Sequence, residues 1–233
     1  MRIYSDWNCR LLPMMSDLIT NPVDTVRSLQ LLNEKFGLSH FCMMLEFDCN
    51  HESVASFIIR RDKAFEALTD QLPKNIRITP GASVLVSDGL SSETGLKKLL
   101  LPGTNLLPVR LPYFSGNETA KELNRLLYHL PYRILFLSFD SYLNFYPKDD
   151  IQRWTELPNT AYQWNYSALE VPLARDLLKK LLSRNSTVLF GTGLRSYEKA
   201  CYYEMDHYVD LASKYFSDYE IDQMFFPKKS SIR

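Results

Sequence analysis

Histidine, cysteine and glycine are all scarce in this 233-residue chain, with four, four and eight copies respectively. His40, His51, His129 and His207 stand far apart, and none is spaced from another as a ligand pair. Cys9, Cys42, Cys49 and Cys201 form no Cys-x-x-Cys pair and no dense framework, which argues against a disulfide scaffold and predicts reduced, mostly buried thiols in a cytoplasmic protein. There is no Gly-x-Ser-x-Gly elbow and no Cys-x5-Arg loop, so nucleophilic catalysis has no support. Gly191-Thr192-Gly193 lacks the third glycine and the lysine of a phosphate loop. It reads as a tight turn at which a ligand approaches backbone N–H groups. No apolar run is long enough to cross a bilayer, and the first six residues carry no secretory core, so membrane insertion is not expected. Net charge is absent too: 27 basic side chains cancel 27 acidic ones, which excludes a broad nucleic-acid footprint and a polybasic anchor.

What remains is a core-forming chain, 45% hydrophobic, with 14 tyrosines and 13 phenylalanines. Short apolar runs alternate with helical patterns without linker or repeat, so a single domain over residues 1–233 is expected. Strands are predicted at Arg2–Ser5, Phe41–Phe47, Ile76–Thr79, Ala82–Val86, Leu106–Leu111, Arg133–Phe139, Thr160–Asn165 and Thr187–Phe190. Helices are predicted from Pro22 to Gly37, at Glu52–Leu72, at Glu118–Leu130 behind Asn117 as cap, at Pro172–Leu182, at Tyr197–Tyr215 and at Asp218–Phe226. Alternation of this kind implies an α/β fold with parallel pairing, and in a barrel the site sits at the strand C-terminal ends. The run Trp154, Tyr162, Trp164, Tyr166 admits a stacking surface, but packing is the default for it and for Tyr202, Tyr203, Tyr208, Tyr215 and Tyr219.

Four segments carry a resemblance. Tyr162–Leu169 is similar to a Gln-x-Asn-x-x-x-Leu strand and turn, and Thr79–Ser83 to Gly-Ala-Glu. Leu137–Tyr142 is similar to Ala-His-x-Glu-Arg-Tyr, and Thr187–Arg195 to an apolar strand ending in Ala-Ser-Asp-x-His. In that order they resemble the PHP (polymerase and histidinol phosphatase) family, nearest to the bacterial manganese-dependent tyrosine phosphatases of capsular polysaccharide loci. The resemblance implies a distorted (β/α)7 TIM-like barrel and a cluster of divalent cations held by imidazoles and carboxylates, which activates a water on a phosphoester.

The family's ligand positions are substituted here. The opening His-x-His reads Tyr4-Ser5-Asp6, Thr-x-His reads Glu46-Phe47-Asp48, and the Glu of Gly-Ala-Glu is Ser83. The next His and Glu are Ser138 and Asp140, their Arg is Ser141, and Asp-x-His is Gly193-Leu194-Arg195. A permanent cation such as Arg195 opposes a metal cluster. The sequence therefore reads as a pseudoenzyme with no catalytic residue and no cofactor, binding a protein partner or a small anionic ligand at the barrel mouth. The pocket candidates are Asp6, Arg10, Asp48, His51, Ser83, Ser138, Asp140, Asn165 and Arg195, with the aspartates expected to pair with Arg10 and Arg195. The alternative is a divergent phosphoesterase in which Asp6, Asp48 and Asp140 hold one Mn or Mg ion.

Overall fold

The computed structural model describes residues 5–12, 21–113 and 116–225. Its seven strands are β1 (Ser5–Cys9), β2 (His40–Phe47), β3 (Arg77–Leu85), β4 (Leu106–Arg110), β5 (Arg133–Phe136), β6 (Thr160–Asn165) and β7 (Thr187–Gly191). They pair in parallel and in chain order. Around them run α1 (Pro22–Phe36), α2 (Val54–Thr69), α3 (Asn117–His129), α4 (Phe139–Tyr142), α5 (Lys148–Trp154), α6 (Pro172–Ser183), α7 (Tyr197–Cys201), α8 (Met205–Tyr215) and α9 (Asp218–Phe225). Helix ends follow local chemistry. Asn21 accepts the Val23 N–H at 2.9 Å, Pro22 opens α1, and Gly37 closes it in the left-handed region at φ 75°.

The sheet curls until β1 meets the chain beyond β7. Gly193 N–H donates to Asn8 O and Arg10 N–H to Leu194 O, both at 2.9 Å. Gly191 permits this approach, because a Cβ there would lie 2.5 Å from Asn8 N. The result is a nearly closed, TIM-like α/β barrel.

Period-two alternation separates two cores. Phe41, Met43 and Leu45 of β2 face outward into the main core with Leu29, Phe57, Leu126 and Leu178 of the helices. Cys42 and Met44 face inward, where Leu106, Leu135, Leu137, Ala161 and Leu189 fill the barrel as a dry plug. Truncating such a leucine to alanine costs about 2–5 kcal/mol.

The structure corrects several expected elements. The first strand is Ser5–Cys9 rather than Arg2–Ser5; Arg2 to Tyr4 lie outside the described residues. Its polar residues hid it, but Asp6 and Asn8 are buried with partners. The segments on either side of Pro80-Gly81 are one strand, paired with β2 throughout. Pro80 is tolerated because β4 pairs with β3 only at Val84 and Leu85. The fifth strand stops at Phe136 because Ser138 takes φ 48° and starts the helical turn α4. The cap of α3 is Gly116, not Asn117. The helix expected over Tyr197–Tyr215 breaks between α7 and α8, and α5 was not expected.

Candidate functional site

The alternation that places apolar side chains inside the barrel carries polar ones to its C-terminal mouth. Two residues beyond Met44 is Glu46, at the end of β4 is Arg110, and β6 ends Ala161, Gln163, Asn165 on the inner face. Arg10 follows β1 and Arg195 follows β7. A cleft of about 420 Å³ opens there, bordered by Arg10, Glu46, Arg110, Ser138, Ser141, Tyr142, Asn165, Gly193 and Arg195.

Two of the three guanidiniums share one carboxylate. Glu46 Oε1 is 3.4 Å from Arg10 Nη1, and Glu46 Oε2 is 3.5 Å from Arg110 Nη2. Arg195 is exposed and forms no ion pair with any described residue within 4 Å. Arg110 Nε is buried without a hydrogen-bond partner among the described residues. Burial, then repulsion from Arg195 and from Arg110 against the pull of Glu46, lowers the Arg10 pKa to about 10. Arg10 is still charged at neutral pH.

Beneath the guanidiniums lies a fixed amide network. Asn8 Nδ2 donates to Gln163 Oε1 at 2.9 Å and to Ser138 Oγ at 3.0 Å, and the Ser138 N–H donates to the same Gln163 oxygen at 2.7 Å. Arg10 Nε is tethered to Asn8 Oδ1 at 3.4 Å. Tyr142 accepts the Leu111 N–H at 2.9 Å, and burial raises its pKa, so it stays a neutral phenol.

The expected pairing of aspartates with Arg10 and Arg195 is not present. Asp6 is fully buried and accepts from Thr192 Oγ1 at 2.5 Å and from the Thr192 and Asn8 N–H groups at 3.0 Å. Burial raises its pKa against those bonds. Asp48 meets His51 Nδ1 at 2.9 Å and accepts from Asn50 N–H and Ser87 Oγ; mild burial is outweighed by these bonds, and its pKa is lowered. Asp140 accepts both the N–H and the Nδ2 of Asn165, at 2.9 and 3.0 Å, while burial raises its pKa. His51 is largely exposed beside Asp48, and Ser83 is buried below the mouth with its Oγ unpartnered among the described residues.

Of the expected pocket residues, Arg10, Ser138, Asn165 and Arg195 border the cleft, while Asp6, Asp48, His51, Ser83 and Asp140 do not. Missed were Asn8 on β1, which no sequence signal marks, and Glu46, Arg110 and Gln163, which the inward period along β2, β4 and β6 points to. The turn Gly191-Thr192-Gly193 does not offer its N–H groups, because Asp6 and Asn8 O already take those of Thr192 and Gly193. Trp154, Tyr162, Trp164 and Tyr166 are core, as packing predicts, and so largely are Tyr203, Tyr208 and Tyr215. Tyr202 and Tyr219 are not, at 79% and 66% exposed.

Seven parallel strands in a nearly closed α/β barrel match the PHP, TIM-like architecture of solved structures. No protein-family model and no curated protein sequence matches the chain. Among solved structures, the chain is similar to that of the metal-dependent tyrosine phosphatases YwqE of Bacillus subtilis and CpsB of Streptococcus pneumoniae. The TM-score is 0.71 at 12% identity, covering 98% of this chain and 93% of the other. It is also similar to histidinol phosphate phosphatase of Lactococcus lactis, with TM-score 0.56 at 14% identity over 93% and 94% of the two chains. The likeness is one of fold.

The residues at the family's ligand positions do not fit a cluster of divalent cations. Among the described residues, no three His, Cys, Asp or Glu side chains group as metal ligands. Asp6 and Asp140 are occupied by neutral hydrogen-bond donors, and guanidiniums stand at the opening. Tyr4 lies outside the described residues. No helix among the described residues is long and apolar enough to cross a membrane.

Proposed function

We propose that this chain is a non-catalytic binding protein on a PHP barrel, taking the oxyanion of a small ligand at the mouth. The observation that supports it is the convergence of Arg10, Arg110 and Arg195 against the single carboxylate of Glu46, with Arg110 Nε buried and unpartnered among the described residues. Guanidiniums present forked donors to phosphate or carboxylate oxygens. Ser138 and Ser141 add neutral hydroxyls along the same wall. In this reading substitution of the metal-ligand positions has turned a phosphoester site into a receptor, because the charge once supplied by cations is supplied by arginine.

Pyrophosphate titrated into the full chain by calorimetry tests this. Saturable binding that persists in EDTA is expected. Each hydrogen bond to a charged group contributes about 1.5–3 kcal/mol, so the Arg10→Gln, Arg195→Gln double variant should bind at least ~100-fold more weakly. Absence of saturation, or Mn-dependent hydrolysis of an aryl phosphate that disappears in Asp140→Asn, would overturn the proposal.

A further inference from the structure

The mouth has a second chemical character beside its charge. Leu111, Tyr113, Leu137 and Tyr142 also line it, so part of the cleft is apolar. Tyr113 differs from the other three, because it is 62% exposed while they are buried. Its ring meets Phe145, itself 55% exposed, edge-on at 5.1 Å with the planes 69° apart. The backbone beneath the pair is held in place. Tyr142 accepts the Leu111 N–H at 2.9 Å, and the Tyr146 hydroxyl donates to Pro112 O. Both phenols are buried, and Tyr146 packs edge-on against Trp154 at 4.8 Å. Two mostly exposed rings on an anchored turn add little to the core, and they stand at the rim of a cleft rich in guanidinium groups.

Charge and size narrow the ligand. In the lining, Arg10, Arg110 and Arg195 outnumber the carboxylate of Glu46 by two charges. A phosphate monoester carries about −1.5 to −2 at neutral pH, which balances them. At about 420 Å³ the cleft is larger than a bare phosphate requires and falls in the range of small-molecule sites. Resting on the oxyanion reading above, we propose that the ligand is a nucleoside monophosphate, its phosphate held by the three arginines and its base stacked on Tyr113. A base is a flat π-system, and an exposed aromatic side chain takes it on its face. Ser138 Oγ accepts from Asn8 Nδ2, which leaves its hydrogen to donate to the sugar. A sugar phosphate without a base leaves the exposed rings unused, and a phosphate on a single phenyl ring leaves much of the cleft empty.

Calorimetry on the full chain compares adenosine monophosphate, ribose 5-phosphate and phenyl phosphate, with pyrophosphate reporting on the oxyanion site alone. Adenosine monophosphate should bind about 10-fold more tightly than ribose 5-phosphate, the contribution of one stacked base, and more tightly than phenyl phosphate. In Tyr113→Ala the ratio of the first two affinities should fall to about 1–2. Tyr113→Phe keeps the ring face without the hydroxyl and should retain the ratio. Because the ratio is taken within each variant, a loss of folded protein or of phosphate affinity common to both ligands cancels. Three results overturn this inference while pyrophosphate still saturates: equal binding of adenosine monophosphate and ribose 5-phosphate, phenyl phosphate binding as tightly as the nucleotide, or a ratio that survives Tyr113→Ala. Failure of pyrophosphate to saturate overturns the oxyanion reading and this one with it.

Discussion

The two ends of the barrel hold the same kinds of side chain under opposite terms. At the N-terminal end, Arg133 donates to Thr187 Oγ1 at 2.8 Å and to Thr160 O at 3.4 Å. His40 meets Thr79 Oγ1 at 2.8 Å and the Trp7 ring edge-on at 5.7 Å. At the C-terminal end, Arg10 and Arg110 divide one glutamate, Arg195 makes no ion pair with a described residue, and a buried guanidinium nitrogen has no partner among the described residues. Between them the dry plug of Met44, Leu106, Leu135 and Leu189 keeps the two ends apart. An arginine is thus no guide to function by itself. What distinguishes the ends is whether the protein has supplied the acceptors.

The comparison breaks hardest at Gly191, whose missing Cβ lets β1 and the end of β7 come together at the mouth. Gly191→Ala should cost about 3 kcal/mol or more, because the new methyl meets backbone and the Asp6 carboxylate at 2.8 Å; urea denaturation measures it. Next come paired substitutions at the two ends. Arg133→Met should destabilise by about 1–3 kcal/mol by orphaning its acceptors. Arg110→Met should be neutral or stabilising by up to about 2 kcal/mol, since it removes a charge that the fold itself satisfies poorly. Equal losses in both would show the ends to be energetically alike. Glu46→Gln sharpens the contrast further: freed of its carboxylate, the mouth should bind pyrophosphate about 5-fold more tightly, read by calorimetry.

The smallest effect concerns pH. Burial raises the Asp6 pKa above its ordinary 3.8. Its contribution to stability is therefore complete below about pH 4 and is lost as pH rises through the raised folded value. Asp6→Asn keeps the acceptor for the Thr192 and Asn8 N–H groups and removes the titration. Denaturation from pH 4 to 8 should show the variant gaining on wild type as pH rises. A gap that is constant with pH would mean that Asp6 titrates alike in both states.

Much of this was legible in the sequence. The runs from Phe41, Arg133, Thr160 and Thr187 marked strands because buried parallel strands are continuously apolar. Arg195, at a substituted ligand position, and Arg10, expected only as a partner of the aspartates, both border the mouth. Illegible was β1, since Asp6 and Asn8 look like loop residues until Thr192 and Gln163 are folded against them. The partners of Asp6, Asp48 and Asp140 were misjudged for a related reason. A neutral Thr or Asn close in space competes for a carboxylate as well as a distant arginine does, and sequence spacing does not rank the two. Glu46 and Arg110 needed only the inward period carried two residues past the apolar plug.

One consequence belongs to the junction where the barrel shuts. Arg10 stands on the β1 side of that seam and Arg195 on the β7 side, and the Gly193–Asn8 and Arg10–Leu194 backbone bonds and the Asp6–Thr192 contacts cross it. An anion gripped by both arginines is then a stitch across the seam. Its binding would slow the breathing of the barrel, and the amide hydrogens of Arg10 and Gly193 are the clocks that would record it.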